Sequence, residues 1–68
     1  MDISKIYVTV DKRDYSGLYW VTQEKGKPHL HVSYAGVKQL AREIDKAQLA
    51  AVEQTAKQML SELIDELE

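Results

Sequence analysis

The sequence contains no cysteine and no phenylalanine, and it has only one proline and three glycines among 68 residues. Without cysteine, no disulfide can stabilise the fold, and two histidines supply a structural metal site poorly. A domain of this length buries only about 60% of the surface that its unfolded chain exposes, so its stability is marginal. Oligomerisation is the remaining source of stability, and the sequence therefore favours a homodimer.

Long apolar runs and an excess of basic residues are also missing. No run approaches the roughly 18 apolar residues of a membrane-spanning helix, and the first residues lack a secretory signal pattern. We therefore expect a soluble cytoplasmic protein, in the host cytoplasm if a phage encodes it, with no membrane partner. The formal net charge is −2 without a basic stripe, which makes nucleic acid an unfavoured partner.

The first half of the chain, residues 1–35, is rich in β-branched and aromatic residues. Three short runs, at 3–10, 18–23 and 28–34, predict strands, the first and third by the alternation of their side chains. The polar run at 11–17 predicts a hairpin loop, and residues 24–27 predict a tight turn. Together these runs predict a three-stranded antiparallel meander.

The second half, residues 36–68, has no proline, no glycine after Gly36, and many residues that favour helix. Its apolar residues recur at helical spacing in two sets that do not share a face. These sets are Val37, Leu40, Ala41 and Ile44, and then Leu49, Val52, Ala56, Met59, Leu63 and Leu67. Asp45 is a good N-cap, and Gln48 can complete a capping box. The half is therefore either a short helix ending near Ile44 with a second from Lys46, or one long helix.

These features predict an α+β fold in a single small domain, residues 1–68, with a sheet in 1–35 and a helical half in 36–68. A continuous helix over the second half would be about 50 Å long, whereas strands of six or seven residues span about 20 Å. The overhang would expose an apolar patch, which we expect a second copy to cover. The predicted dimer interface consists of Leu49, Val52, Ala56, Met59, Leu60, Leu63, Ile64 and Leu67.

Two polar segments are candidates for binding a different protein. The predicted loop offers Lys12, Arg13, Asp14 and Tyr15, because loops on rigid scaffolds often carry recognition. The last helical turns offer Glu62, Asp65 and Glu66, whose charges oppose the helix macrodipole and would be offset by a basic partner. The alternative in both cases is an ordinary solvated surface.

A sheet face with Tyr7, His29 and His31, and with either Tyr19 or Trp20, is the alternative site. Aromatic and histidine rings on such a face can stack the bases of single-stranded nucleic acid. The histidine pair could supply two metal ligands, but zinc needs three or four, so we predict no metal and no cofactor. No nucleophile with a base and an orienting group is recognisable, and no glycine-rich phosphate loop, so we predict no enzymatic activity.

The segment Ser-Gly-Leu-Tyr-Trp-Val at 16–21 follows a polar run, and a helix is predicted after the third strand. In this layout, over about residues 6–44, the chain resembles the small HicB-like antitoxin domains, which look like a partial ribonuclease H fold. The family's acidic-loop and glycine-rich details are missing. The resemblance implies an antitoxin-like function.

In size and charge the chain is also similar to short phage or mobile-element proteins that block a host partner. The leading hypothesis is therefore a small non-enzymatic protein–protein interaction module that regulates or inhibits by surface occlusion. Single-stranded nucleic-acid binding and an antitoxin-like role are the alternatives.

Overall fold

The computed structural model describes residues 2–36 and 38–67. Its elements in chain order are β1 (Ser4–Val10), β2 (Arg13–Glu24), β3 (Lys27–Tyr34), β4 (Lys38–Glu43), α1 (Lys46–Ala50) and α2 (Val52–Leu67). All neighbouring strands pair antiparallel, and the order in the sheet is β1-β2-β3-β4. The predicted α+β class and antiparallel meander are confirmed, but the sheet has four strands where three were predicted.

The fourth strand occupies part of the segment predicted to be helical. β4 pairs with β3 from Lys38, opposite Tyr34, to Glu43, opposite His29. Its composition favours helix, but helix propensity is a weak preference that tertiary pairing can override. The predicted boundary between a sheet in 1–35 and a helical half in 36–68 is therefore wrong. Val37, the first apolar residue of the predicted helix, lies outside the described residues.

Two-residue turns connect β1 to β2 and β2 to β3. Asp11 and Lys12 have φ of 50° and 66°, and Lys25 and Gly26 have φ of 53° and 77°. Positive φ at both central residues is typical of type I′ turns, whose twist matches that of the flanking strands. The tight turn at 24–27 is confirmed. The seven-residue loop predicted at 11–17 is wrong, because the turn takes two residues and β2 begins at Arg13.

The helical part begins at the predicted cap. The backbone N–H of Gln48 donates to Asp45 Oδ1 at 2.8 Å, and the backbone N–H of Asp45 donates to Gln48 Oε1 at 3.1 Å. This capping box is confirmed. The helix is interrupted at Ala51, with φ of −123° and ψ of 45°, so the two consecutive helices both follow Asp45.

The core lies between α2 and one face of the sheet, which we call the core face. Its buried apolar residues are Ile6, Leu30, Val32, Ile44, Ala56, Met59, Leu60, Leu63 and Ile64. A helix of 16 residues is about 24 Å long, and the eight residues of β3 span about 26 Å. α2 therefore matches the sheet in length, and the overhang that predicted a dimer does not occur.

Gly17 allows α2 to approach β2 closely. It lies opposite Ile6 in the sheet, and a Cβ atom built there would be 2.8 Å from the Ser33 carbonyl oxygen and 2.9 Å from Leu60 Cδ1. Real Cβ atoms essentially never approach heavy atoms so closely. Any larger residue at position 17 would push either the helix or β3 away.

Candidate interaction surface

The sheet face opposite α2 is the most informative surface, and we call it the outer face. Strand alternation and register assign to it Lys5, Tyr7 and Thr9 from β1, Asp14, Ser16, Leu18, Trp20, Thr22 and Glu24 from β2, Lys27, His29, His31 and Ser33 from β3, and Gln39, Ala41 and Glu43 from β4. Their neighbours along the strands, such as Ile6, Leu30 and Val32, point into the core. No described helix packs over the outer face.

The centre of the outer face is a pair of stacked rings. Trp20 and His31 are cross-strand partners on β2 and β3, with ring centroids 5.3 Å apart and planes 2° from parallel. Thr22 Oγ1 lies 2.8 Å from His31 Nε2, within hydrogen-bonding distance. All three side chains are half-buried by their neighbours in the sheet. The rings are therefore held in place before any partner arrives.

Exposed apolar side chains concentrate on this face. Tyr7 is 62% exposed and Leu18 is 38% exposed, and Ile3, which precedes β1 in the same alternation, is 56% exposed. Among the described residues the remaining large exposed apolar side chain is Leu49, on α1. Single exposed apolar residues are ordinary, but a group that shares one face marks an interaction surface.

Titratable side chains lie at the ends of the outer face, where several contact one another, and Lys5 lies nearer the centre, opposite Leu18. Lys27 Nζ is 3.4 Å from Glu43 Oε1, and His29 Nε2 is 3.9 Å from Glu24 Oε2. On the opposite side, Thr9 Oγ1 donates to Asp14 Oδ1 at 2.8 Å. The strand register gives the outer face two lysines and three carboxylates, so it has no basic excess.

The residues predicted as a dimer interface lie elsewhere. Five of them, Ala56, Met59, Leu60, Leu63 and Ile64, are at most 2% exposed because α2 packs them against the chain's own sheet. A second copy cannot reach them, and this interface is corrected. Val52 is half-buried against the core, Leu49 is exposed, and the side chain of Leu67 lies outside the described ones. The homodimer itself stays a prediction.

The predicted protein-binding loop is not a loop. Lys12 lies in the turn, Arg13 and Asp14 open β2, and Tyr15 faces the core side. The ring of Tyr15 lies edge-on to Tyr34, with centroids 6.0 Å apart. These residues therefore extend the β1–β2 hairpin instead of forming a flexible recognition segment.

Two of the three acidic residues predicted to bind a partner pair with this chain's own sheet. Glu62 pairs with Arg42 at 2.8 Å, and Glu66 pairs with Lys38 at 3.1 Å. Asp65 is exposed on the same helix. Both bases come from β4, so the chain itself supplies the positive charge that was expected from a partner. Exposed pairs of this kind contribute roughly 0–1 kcal/mol each.

The residues of the alternative site share the outer face but are spread along it, because Tyr7 lies opposite Ser16 whereas His29 lies opposite Thr22, six residues further along β2. Tyr7, His29 and His31 share the outer face, and Trp20, not Tyr19, lies among them. Sequence reasoning did not single out Leu18, although it alternates in phase with Trp20. The period-two alternation of side chains along β2 could have assigned Leu18 to the same face as Trp20. The polar residues before Leu18 obscured that alternation.

The outer face carries one contact between a hydroxyl and an imidazole. A hydroxyl beside an imidazole, as in Thr22 and His31, is the first half of a nucleophile–base arrangement. Among the described residues no carboxylate bonds the other ring nitrogen of His31, and no group of His, Asp and Glu could hold a metal ion. A depression of about 480 Å³ lies beside the end of β3, lined by Lys5, Ser16, Leu18 and Ser33 among others.

Comparisons with known proteins supply no relative from which function could be inferred. No protein-family model, no curated protein and no solved structure matches the chain. The layout behind the HicB-like resemblance is also not found, because residues 16–21 lie inside β2 and a strand, not a helix, follows β3. Of the described helices, none is both long and apolar enough to cross a membrane.

Proposed function

We propose that this chain is a small non-enzymatic protein–protein interaction module that covers part of a partner's surface with its outer face. The observation that carries the proposal is that exposed Ile3, Tyr7 and Leu18 share the outer face with half-buried Trp20, with Lys5 opposite Leu18 as the charged residue among them. A module of this kind acts by occlusion, as a regulator or inhibitor does.

The arrangement has the anatomy of a protein interface. Interface centres are enriched in aromatic residues and poor in charge, and their rims are polar. Here Trp20 and Leu18 are central, whereas Glu24 and Lys27 lie at the end of the strands beside the turn. Trp20 is already stacked on His31, so binding would cost little additional side-chain entropy at this position.

Charge disfavours the alternative of single-stranded nucleic acid. The rings that could stack bases are present, but phosphate binding requires lysines and arginines that follow the backbone. The outer face has two lysines against three carboxylates, and Lys27 already contacts Glu43.

Site-specific photo-crosslinking tests the proposal. A photoreactive phenylalanine derivative replaces Leu18 on the outer face, and a matched control carries it at Gln54, an exposed position on α2. After irradiation in an extract of the source cells, we expect protein adducts from position 18 that position 54 does not give. Adducts to nucleic acid alone, or identical adducts from both positions, would refute the proposal.

A further inference from the structure

We propose that the occupant of the outer face is a second copy of this chain, related by a two-fold axis parallel to the strands and above the gap between β2 and β3. The inference rests on the proposed function, because it names the partner of that same surface: the two copies cover each other, and the outer face is open to another protein only in the dissociated chain. Two-fold dimers are the commonest closed assemblies, and stacked sheets pack about 10 Å apart with strands within about 30° of each other.

This axis brings the apolar centres of the two copies together. Each outer-face residue of β2 has a cross-strand partner on β3 in the same sheet. In the dimer, that β2 residue lies over the same β3 residue of the other copy. Trp20 pairs with His31 and Leu18 pairs with Ser33 within one sheet. In the dimer, Trp20 of one copy therefore faces His31 of the other, and Leu18 faces Ser33. Four rings and two leucines then form a shared centre without water.

Charge complementarity selects this axis over the other simple choice. Glu24 and Lys27 are partners at the end of β2 and β3, so the proposed axis sets Glu24 of each copy over Lys27 of the other. A two-fold axis between the sheets but perpendicular to the strands would instead stack β2 of one copy antiparallel on β2 of the other, with the axis passing near Tyr19. Glu24 would then lie over Asp14, carboxylate against carboxylate, which is repulsive.

The area of the face sets the expected strength. The two longest dimensions of the molecule are 37 and 22 Å, so the face covers at most about 800 Å², close to the share of one partner in a standard interface. Since the sheet fills only part of that outline, the buried area lies at the lower end of stable interfaces. We therefore expect a dimer that dissociates on dilution.

A charge exchange between two variants tests both the partner and the axis. Glu24→Lys gives a chain with lysine at both positions, and Lys27→Glu gives one with glutamate at both. Each variant would place like charges together in its own homodimer, whereas an equimolar mixture restores opposite charges at both contacts. We expect self-association of each variant to be at least about tenfold weaker than that of the wild type, and the mixture to recover it.

Sedimentation velocity over a range of concentrations gives these constants, and circular dichroism checks that each variant is folded. Both substitutions change exposed groups at the end of the sheet, where lost ion pairs cost little stability. The matched controls, Glu53→Lys and Lys57→Glu on the exposed side of α2, should associate like the wild type alone and when mixed.

The outcomes separate this inference from the function on which it rests. A wild-type chain that stays monomeric at millimolar concentration, while position 18 crosslinks to other proteins, overturns the second copy and leaves the interaction module standing. A wild-type dimer whose variants associate normally, or whose mixture does not recover, overturns the axis. No protein adduct from position 18 overturns the proposed function itself.

Discussion

Replacing Gly17 by alanine tests how closely the helix and the sheet approach. The added methyl group would lie 2.8 Å from the Ser33 carbonyl oxygen and 2.9 Å from Leu60 Cδ1. The leucine methyl can rotate away, but the carbonyl belongs to the backbone of β3, which pairs with strands on both sides. One methyl group inserted into a packed core costs about 1–3 kcal/mol.

A smaller effect acts in the opposite direction. Alanine lowers the entropy of the unfolded chain, which stabilises a protein by about 0.4–1 kcal/mol where the backbone tolerates the residue. Gly17 does not have positive φ, so this benefit applies. The net expectation for Gly17→Ala is a loss of about 1–2 kcal/mol, or about 5–15 °C in Tm for a domain of this size.

Thermal and urea unfolding followed by circular dichroism give the measurement. Ser16→Ala is the matched control, because its side chain is exposed on the outer face and its removal should change stability by less than about 0.5 kcal/mol. Combining Gly17→Ala with Leu60→Ala should cost less than the sum of the two changes, since they share one contact. A Gly17→Ala protein as stable as the wild type would refute the close approach.

Three further experiments test other parts of the fold. Leu63→Glu places a carboxylate among buried apolar residues and should unfold the chain, whereas Leu49→Glu, at an exposed site, should leave a folded protein. Circular dichroism distinguishes the two outcomes, and a folded Leu63→Glu chain would contradict the described core. Ala35→Gly should raise stability by about 0.5–1 kcal/mol in urea unfolding, because Ala35 has φ of 54°; a loss would argue against that turn. Asp45→Ala should lower the free energy of unfolding by about 1 kcal/mol, and Asp45→Asn should lower it by less. Equal free energies of unfolding for the wild type and both variants would contradict the capping box.

The parts of the fold that depend on local chemistry could be predicted from the sequence. The alternation of Ile6, Val8 and Val10 predicts β1 and its core face, and Asp45 with Gln48 predicts the start of the helices. These signals involve neighbouring residues only. The same alternation places Tyr7, His29 and His31 on one face, because each lies out of phase with the buried residues of its strand.

The strand β4 could not be predicted in the same way. Its residues favour helix individually, and Leu40, Ala41 and Ile44 also fit helical spacing. What makes the segment a strand is distant in sequence, namely its pairing with β3 from Lys38 to Glu43. Residues 38–43 also lack an apolar/polar alternation, because each side of the strand has a single apolar residue, Leu40 or Ala41.

The candidate surface was misplaced for the same reason. Without β4, the helical half looked too long for its sheet, and its apolar stripe was assigned to a second copy. Once β4 returns the chain along β3, α2 covers the core face, and the large apolar side chains left exposed on the outer face are Ile3, Tyr7 and Leu18. Gly17 contributed to the error, because a glycine after polar residues is typical of a loop, whereas here it permits contact with Leu60.

Hydroxyl-radical footprinting of the dilute chain, read by mass spectrometry, measures most directly which apolar surface is covered. Methionine sulfur is readily oxidised wherever it is exposed. With Met59 at 1% exposure and Tyr7 at 62%, we predict that Met59 is protected many-fold relative to the urea-unfolded chain while Tyr7 is modified almost as in that chain. Rapid oxidation of Met59 together with protection of Tyr7 would show that α2 does not cover the core face and would contradict the account.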